Sequence, residues 1–217
     1  QANAYQDHSG AGGPGGQHCY TTGLTLHYFL TAEQSSKDAV LQLANWISNY
    51  YEGSGTLAEL LLALKNRQQP GFKNKWTGQY PLDRGTGNYI VALLDAFELT
   101  AKQSYLDKIS LIIKNTAWPS ENLAERHLDN VEETWFYTIF LQAVTRYMLV
   151  KMQLEQVDQS WHFAQQLLLH FADWMTANET PYLDNPEKLE YPNHTWAAQD
   201  LRKAIILYCA YFFAGKN

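Results

Sequence analysis

Residues 23–47 read GLTLHYFLTAEQSSKDAVLQLANWI, and the kind of chain this is depends on that stretch. Apolar residues recur at helical spacing on both sides of a short polar turn, TAEQSS, with no strand-like alternation between them. Ser36 stands where an N-cap would open the second helix, just before KDAVLQLANWI. Two helices joined by so few residues must fold back on each other, so the stretch reads as an antiparallel helical hairpin.

The same pattern extends along the chain. It predicts helices at 20–31, 36–51, 56–66, 87–101, 104–115, 132–152, 158–177 and 196–214, and therefore an all-α class. Thr56 with Glu59 has the spacing of a capping box, and Ser104 with Asp107 opens YLDKISLIIK. Short turns at TAKQS and LEQVDQS make further hairpins, whereas long segments at 52–86, 117–131 and 178–195 join one hairpin to the next. In an up-and-down array such linkers emerge at one end. That end collects polar and aromatic loops, where function usually gathers on a rigid scaffold. Gly23, Gly87, Thr134 and Thr195 each stand near the start of a first helix, at spacings too irregular for a fixed-period array.

With 217 residues the chain can hold one substantial core, and 1–217 reads as a single domain. Hydrophobic residues make up 46% and charged ones 18%, while aromatics reach 14%, a composition suited to a lined groove. The formal charge is -6 and the sixteen Lys and Arg are dispersed, which argues against nucleic acid as a partner. No apolar run approaches the ~20 residues of a membrane span. The first residues, QANAYQDHSGAGGPGG, lack the basic and apolar regions of a signal peptide, so a soluble chain, mature or truncated, is expected, in a compartment left open. Cys19 and Cys209 lie in apolar helical patterns and read as buried free thiols rather than as a bridge. The sequons Asn178-Glu179-Thr180 and Asn193-His194-Thr195 do not fix a location.

Residues 124–138, AERHLDNVEETWFYT, crowd acidic side chains with Arg126 and His127 before an apolar run. Asp129 and Glu132 have capping-box spacing, and Glu133 adds charge where the helix dipole favours it. That explains the carboxylates and leaves the pair Arg126-His127 in need of another reason.

Gly23, Leu24, Tyr28, Leu30 and Thr31, followed by Leu43, Ala44 and Trp46, give residues 23–47 a pattern that resembles the hairpin of the six-hairpin glycosidase-like superfamily. That superfamily comprises the α/α toroids of many glycoside hydrolases and polysaccharide lyases. Residues 87–113, GNYIVALLDAFELTAKQSYLDKISLII, look like a second copy, and the two together cover about a quarter of the chain. The resemblance implies a toroid whose first helices line an inner ring, with long loops at their N-termini around a cavity for an oligosaccharide or polysaccharide. A complete ring in that superfamily uses twelve helices against the eight read here. The expectation is thus an incomplete ring, either part of a larger polypeptide or a short divergent form.

On that reading His8, His18, His127 and His194 fall in or beside the cavity loops, while His27, His162 and His170 fall within helices as core or surface residues. Glycoside cleavage needs two carboxyl groups flanking the bond. The carboxylates at that end are Asp83, Asp129, Glu132, Glu133 and Asp184; Asp83, in GQYPLDRGTGN, could also be held by a salt bridge to Arg84. Uronate elimination needs a cation for the substrate carboxylate and a Tyr or His to take the proton. Arg84 and Arg126 suit the first role, and Tyr80, His127, Tyr191 or His194 the second. The expected catalytic set is therefore Asp83, Arg84, Arg126, His127 and His194.

Trp76, Tyr80, Trp118 and Tyr191, whose ring faces match pyranoses, together with His18, form the expected substrate-binding set. Trp135 and Trp196 are further platforms, whereas Trp46, Trp161 and Trp174 inside helices read as core. HSGAGGPGGQH lacks the ending of a phosphate loop, no His-Cys spacing suggests zinc, and no nucleophile elbow occurs; no metal or cofactor is expected. A domain that binds or cleaves carbohydrate is the leading expectation, with hydrolase and lyase chemistry both open. The alternative is a non-catalytic helical scaffold that binds protein.

Overall fold

The structure is a computed structural model that describes residues 16–53 and 79–215, and these form helices and turns with no strand among them. The all-α class holds. Contacts divide the chain into two compact units: residues 1–81 with 88–115, and residues 82–87 with 116–217.

In the first unit, α1 (Thr22–Thr31) and α2 (Gln34–Glu52) pack on each other as the hairpin read from residues 23–47. α3 (Arg84–Thr100) contributes all but its first turn, and α4 (Gln103–Lys114) follows after two residues. The two short turns are copies of one device, LTAEQS at 30–35 and LTAKQS at 99–104. In each an alanine sits in the left-handed region, Ala32 at φ 58° and Ala101 at φ 55°. Its N–H closes the helix onto a carbonyl four residues back, Tyr28 or Phe97, at 2.7 Å. The preceding threonine hydroxyl donates one turn back, Thr31 to His27 and Thr100 to Ala96, at 2.7 Å in both. Gln34 then reaches Asp38 at 2.9 Å, and Gln103 reaches Asp107 at 3.2 Å. The same residues at the same offsets make the same bonds, so the internal copy is local chemistry as well as resemblance.

These turns correct two expected caps. α2 opens at Gln34, with the Glu33 carboxylate accepting the Ser35 N–H at 3.3 Å; Ser36 is buried in the first turn beside His27 Nδ1 at 2.9 Å. α4 opens at Gln103 after Lys102, which makes no side-chain cap, and Asp107 is engaged by Gln103. A left-handed alanine aims each second helix, so a hydroxyl cap is not required. The helix expected at 56–66, with Thr56 and Glu59, lies outside the described residues.

Val40, Ala44, Ile47 and Tyr51 form the buried stripe of α2, and Leu106, Ile109, Ile112 and Ile113 that of α4. α3 is buried on most sides from Tyr89 to Phe97, as befits a helix that is apolar nearly all round. Its charge is satisfied, since the fully buried Asp95 accepts the hydroxyls of Thr21 at 2.5 Å and Thr22 at 3.1 Å. Glu52 likewise accepts from Tyr80 at 2.9 Å, from Tyr89 at 2.8 Å and from the Lys108 ammonium. Burial, and then the charge of Asp95, push the Cys19 thiol up to about 11, which keeps it protonated and inert.

In the second unit the short α5 (Val131–Thr134) leads through Trp135 and Phe136 into α6 (Tyr137–Gln153), so the helix expected at 132–152 is in two pieces. α7 (Gln159–Asn178) and α8 (His194–Ala214) complete a trio in which each helix packs on the other two. Short chain reversal between α6 and α7 uses Glu155 at φ 58°. Trp161, Tyr137, Phe140, Tyr147, Phe171 and Phe213 fill the core, and the Trp161 indole donates to the Met148 carbonyl at 3.0 Å. Gly87 is sterically required, because a Cβ there would lie 2.9 Å from the Ile139 backbone, whereas Gly23 meets nothing within 4 Å. Asp158 caps α7 by accepting the N–H groups of Ser160 and Trp161, both at 3.0 Å, and pairs with the buried Lys151 at 2.6 Å. Burial raises its carboxyl, but hydrogen bonds from Lys151, Ser160 and Trp161 outweigh that and hold it well below the usual range.

Two predictions follow from this geometry. Ala101→Gly should stabilise the chain by about 0.5–1 kcal/mol in urea unfolding, because the left-handed cost of an L residue exceeds the entropy that glycine adds to the unfolded chain. Asp158→Ala should cost ~1–2 kcal/mol at neutral pH, with Asp158→Asn recovering part of the cap and none of the ion pair. Since the folded carboxyl lies below its unfolded value of ~3.9, this contribution is present above that pH and fades below it. The urea midpoints of the native chain and Asp158→Ala should converge as the pH falls through that window.

Candidate functional site

The linkers of the second unit meet where α6 begins, α7 ends and α8 begins. At that end Glu179 terminates α7 with extended backbone, its N–H bonded to the Met175 carbonyl at 2.9 Å. Tyr137, the first residue of α6, donates its hydroxyl to Glu179. Lys203 on α8 lies 3.2 Å from Glu179 Oε2 and 3.4 Å from Asp200 Oδ1, and donates to the Thr180 carbonyl at 2.9 Å. Its ammonium also sits 3.4 Å from the centre of the Tyr182 ring. Asp200 in turn accepts the Tyr182 N–H at 3.1 Å. Two carboxylates, one ammonium and two phenols thus share one partly buried cluster.

Electrostatics keep both phenols neutral. Burial, then the charge of Glu179, raises the Tyr137 hydroxyl well above its ordinary range, and the same causes raise that of Tyr182, with Asp200 adding to the latter. Glu179 Oε2 is buried and makes no hydrogen bond, although it faces Lys203. The cluster forms the wall between two cavities. One, of about 250 Å³, is lined by Glu179, Asp200 and Lys203 together with the apolar Met175, Ala204 and Leu207. The smaller, of about 50 Å³, opens toward Leu128, Asp129, Val131, Lys188 and Leu189.

An aromatic group backs this end. Tyr182, Leu189 and Trp196 are buried together, with Val131, Trp135 and Leu183 packed against them. Trp135 meets Trp196 edge-on with ring centres 6.1 Å apart, and Tyr182 meets Trp196 at 5.2 Å. The Arg84 guanidinium lies over the rings of Phe136 at 4.4 Å and Trp135 at 5.2 Å. Glu132 accepts the Glu190 N–H at 2.6 Å and so ties α5 to the loop before α8.

The residues expected from sequence are for the most part engaged in local contacts. Asp83 caps α3 by accepting the Thr86 N–H at 2.9 Å, and Arg84 covers aromatic rings. Arg126 is bound to Glu121 at 2.5 Å and to the Thr116 carbonyl at 3.1 Å. His127 is exposed and holds a left-handed turn at φ 51°, a conformation histidine enters more readily than most residues. His194, the first residue of α8, is exposed, as is Tyr191, while exposed Trp118 packs edge-on against Phe163. In the first unit His18 lies 3.2 Å from the Tyr20 hydroxyl and Tyr80 serves Glu52. Trp76 lies outside the described residues.

The capping box of Asp129 and Glu132 is corrected as well. Asn130 occupies the N-cap position of the four-residue α5 without a side-chain cap, and Glu132 is used in the contact with Glu190. Sequence reading passed over Glu179, Asp200, Lys203, Tyr137 and Tyr182. One signal was there to be seen: Asp200, Arg202 and Lys203 are charges in an otherwise strongly apolar helix.

Among the described residues no group of three or more His, Cys, Asp or Glu is placed to hold a metal, and no helix is long and apolar enough to cross a membrane. The chain matches no known protein family, no curated protein and no solved structure.

Lys203→Met should destabilise the chain by ~3 kcal/mol, since it leaves two carboxylates facing each other in a partly buried site. Adding Glu179→Gln should return part of that loss. A double-mutant cycle by urea unfolding reads the coupling, and simple additivity of the two changes would mean that Lys203 does not bind Glu179.

Proposed function

We propose that this chain is a carbohydrate-active domain that takes an oligosaccharide into the cleft between the end of α7 and the first turns of α8. One observation carries the reading: Glu179 Oε2 is a buried acceptor without a hydrogen bond, on the wall of a 250 Å³ cavity that Met175, Ala204 and Leu207 also line. A sugar presents hydroxyl donors at its edge and C–H groups on its faces, so it can satisfy such a carboxylate while covering Met175, Ala204 and Leu207. Lys203 and Asp200 extend the polar side with a donor and a second acceptor.

Of the two cleavage chemistries, the arrangement favours hydrolysis. Glu179 and Asp200 supply the pair of carboxyl groups that glycoside cleavage uses. Elimination requires a cation available to the substrate carboxylate, whereas Arg126 is already paired with Glu121 and Lys203 with Glu179 and Asp200. The runner-up reading, a non-catalytic helical scaffold, draws on the exposed apolar side of α8.

Titration calorimetry of the chain against a panel of neutral and acidic oligosaccharides is the test. At least one should bind, and Glu179→Gln should weaken it by about tenfold or more, the worth of a hydrogen bond to a charged group. Release of reducing ends that Glu179→Gln and Asp200→Asn both abolish would establish hydrolysis, and an ultraviolet-absorbing unsaturated product would establish elimination instead. No heat from any glycan would discard the carbohydrate reading in favour of the scaffold.

A further inference from the structure

α8 carries its charges on the side where a surface helix would carry apolar residues. Lys203 is buried, while Asp200 and Arg202 are half-buried; Arg202 is held by Gln142 at 2.6 Å and Gln199 at 2.8 Å. The side that meets solvent bears Leu201, Ala204, Ile205, Tyr208, Tyr211 and Phe212, all exposed and none charged. Leu201 is 66% exposed, Tyr208 69% and Tyr211 82%. At ~3.6 residues per turn these positions fall on one continuous stripe. The opposite side, with Ile206, Ala210 and Phe213, is buried as well, so the helix is apolar on both faces. Such a helix belongs in an interior.

The sizes along the stripe say what covers it. Alanines at 197 and 198 lie near its start, and the rings of Tyr211 and Phe212 near its end. If a second α8 is laid antiparallel about a two-fold axis at residues 204 and 205, Ala197 falls on the edge of Tyr211 and Ala198 on the edge of Phe212. Leu201 then meets Tyr208, and at the axis Ala204 and Ile205 each lie beside the same residue of the second copy. At both ends of the contact large side chains face small ones, as interdigitating helices require, whereas a parallel pairing would set ring on ring. The stripe is also neutral, so two chains of formal charge -6 meet there without opposed charges. Its three rings expose on the order of 400 Å², and Leu201 and Ile205 bring each side toward the ~600 Å² at which specific interfaces begin.

We infer that this stripe is an isologous dimer interface, α8 against the α8 of a second copy of the chain, antiparallel about Ala204 and Ile205. Ala204 also lines the 250 Å³ cavity, so the second copy borders the candidate site.

Sedimentation velocity of the full chain over about 1–300 µM tests this, a range spanning the affinities expected of a small interface. The native chain should move toward twice its 24.9 kDa mass as concentration rises. Ile205→Glu and Ile205→Lys should each remain monomeric, because each brings like charges together across the axis, and an equimolar mixture should recover the dimer. Far-ultraviolet dichroism checks that both variants keep the native helix content, and Tyr211→Glu replaces either one that does not. A native chain that stays monomeric throughout overturns the proposal. So does a dimer that persists in both single variants, since it would use another face.

Discussion

The ammonium of Lys203 is the constraint on which the second unit rests. A cation taken out of water costs several kcal/mol unless it is paired and hydrogen-bonded, and the partners of Lys203 come from three places. Glu179 ends α7, Thr180 lies in the segment that leaves it, and Asp200 is one turn away on α8. Any displacement of residues 179–182 would leave that charge with Asp200 alone of these partners. The Tyr182 N–H on Asp200 and the Tyr137 hydroxyl on Glu179 extend the same set of bonds to the crossing segment and to α6. The end of the unit that collects its linkers is therefore held by polar chemistry as firmly as its middle is held by Trp161 and Phe171.

That anchoring explains how long linkers become an extension of the core. Once residues 179–182 are placed, Tyr182 can join Leu189 and Trp196, and Val131 and Trp135 close against them. Arg84 spreads its guanidinium over Trp135 and Phe136, and Glu132 takes the Glu190 N–H. Loops tied by such contacts present side chains in fixed positions, which is what a binding site needs. The cost is that Arg84, Arg126 and Asp83, which looked available for chemistry, are used in holding the loops.

Local consistency plays the corresponding part in the first unit. LTAEQS and LTAKQS each spend a left-handed alanine to set the angle of the next helix, and each recovers the loss through a threonine back-bond and a Gln–Asp pair. Buried polar groups there are satisfied within the unit, with Asp95 served by two threonines and Glu52 by two tyrosines and a lysine. α8 is the exception to this thrift, since it turns its charges inward to the cluster and leaves an uncharged face outside.

What the sequence by itself determined is local. Helical periodicity and short polar turns are written in neighbouring residues, so the all-α class, the hairpin at 23–47 and the positions of α3, α4, α6, α7 and α8 were legible, with errors at caps where an αL alanine or a distant contact replaced the expected hydroxyl or carboxylate, and at 132–152, which is broken after Thr134. The repeated turn was legible for the same reason. The candidate site was not, because Glu179 and Lys203 are 24 residues apart and meet only when α7 and α8 pack. Arg126 and His127 looked functional because their neighbours offered no partner in sequence; Glu121 for the one and a left-handed turn for the other appear only when the chain folds over 116–130. Which charge is paired, which face is covered and which carboxylate borders a cavity are properties of long-range packing, and there tertiary structure alone decided.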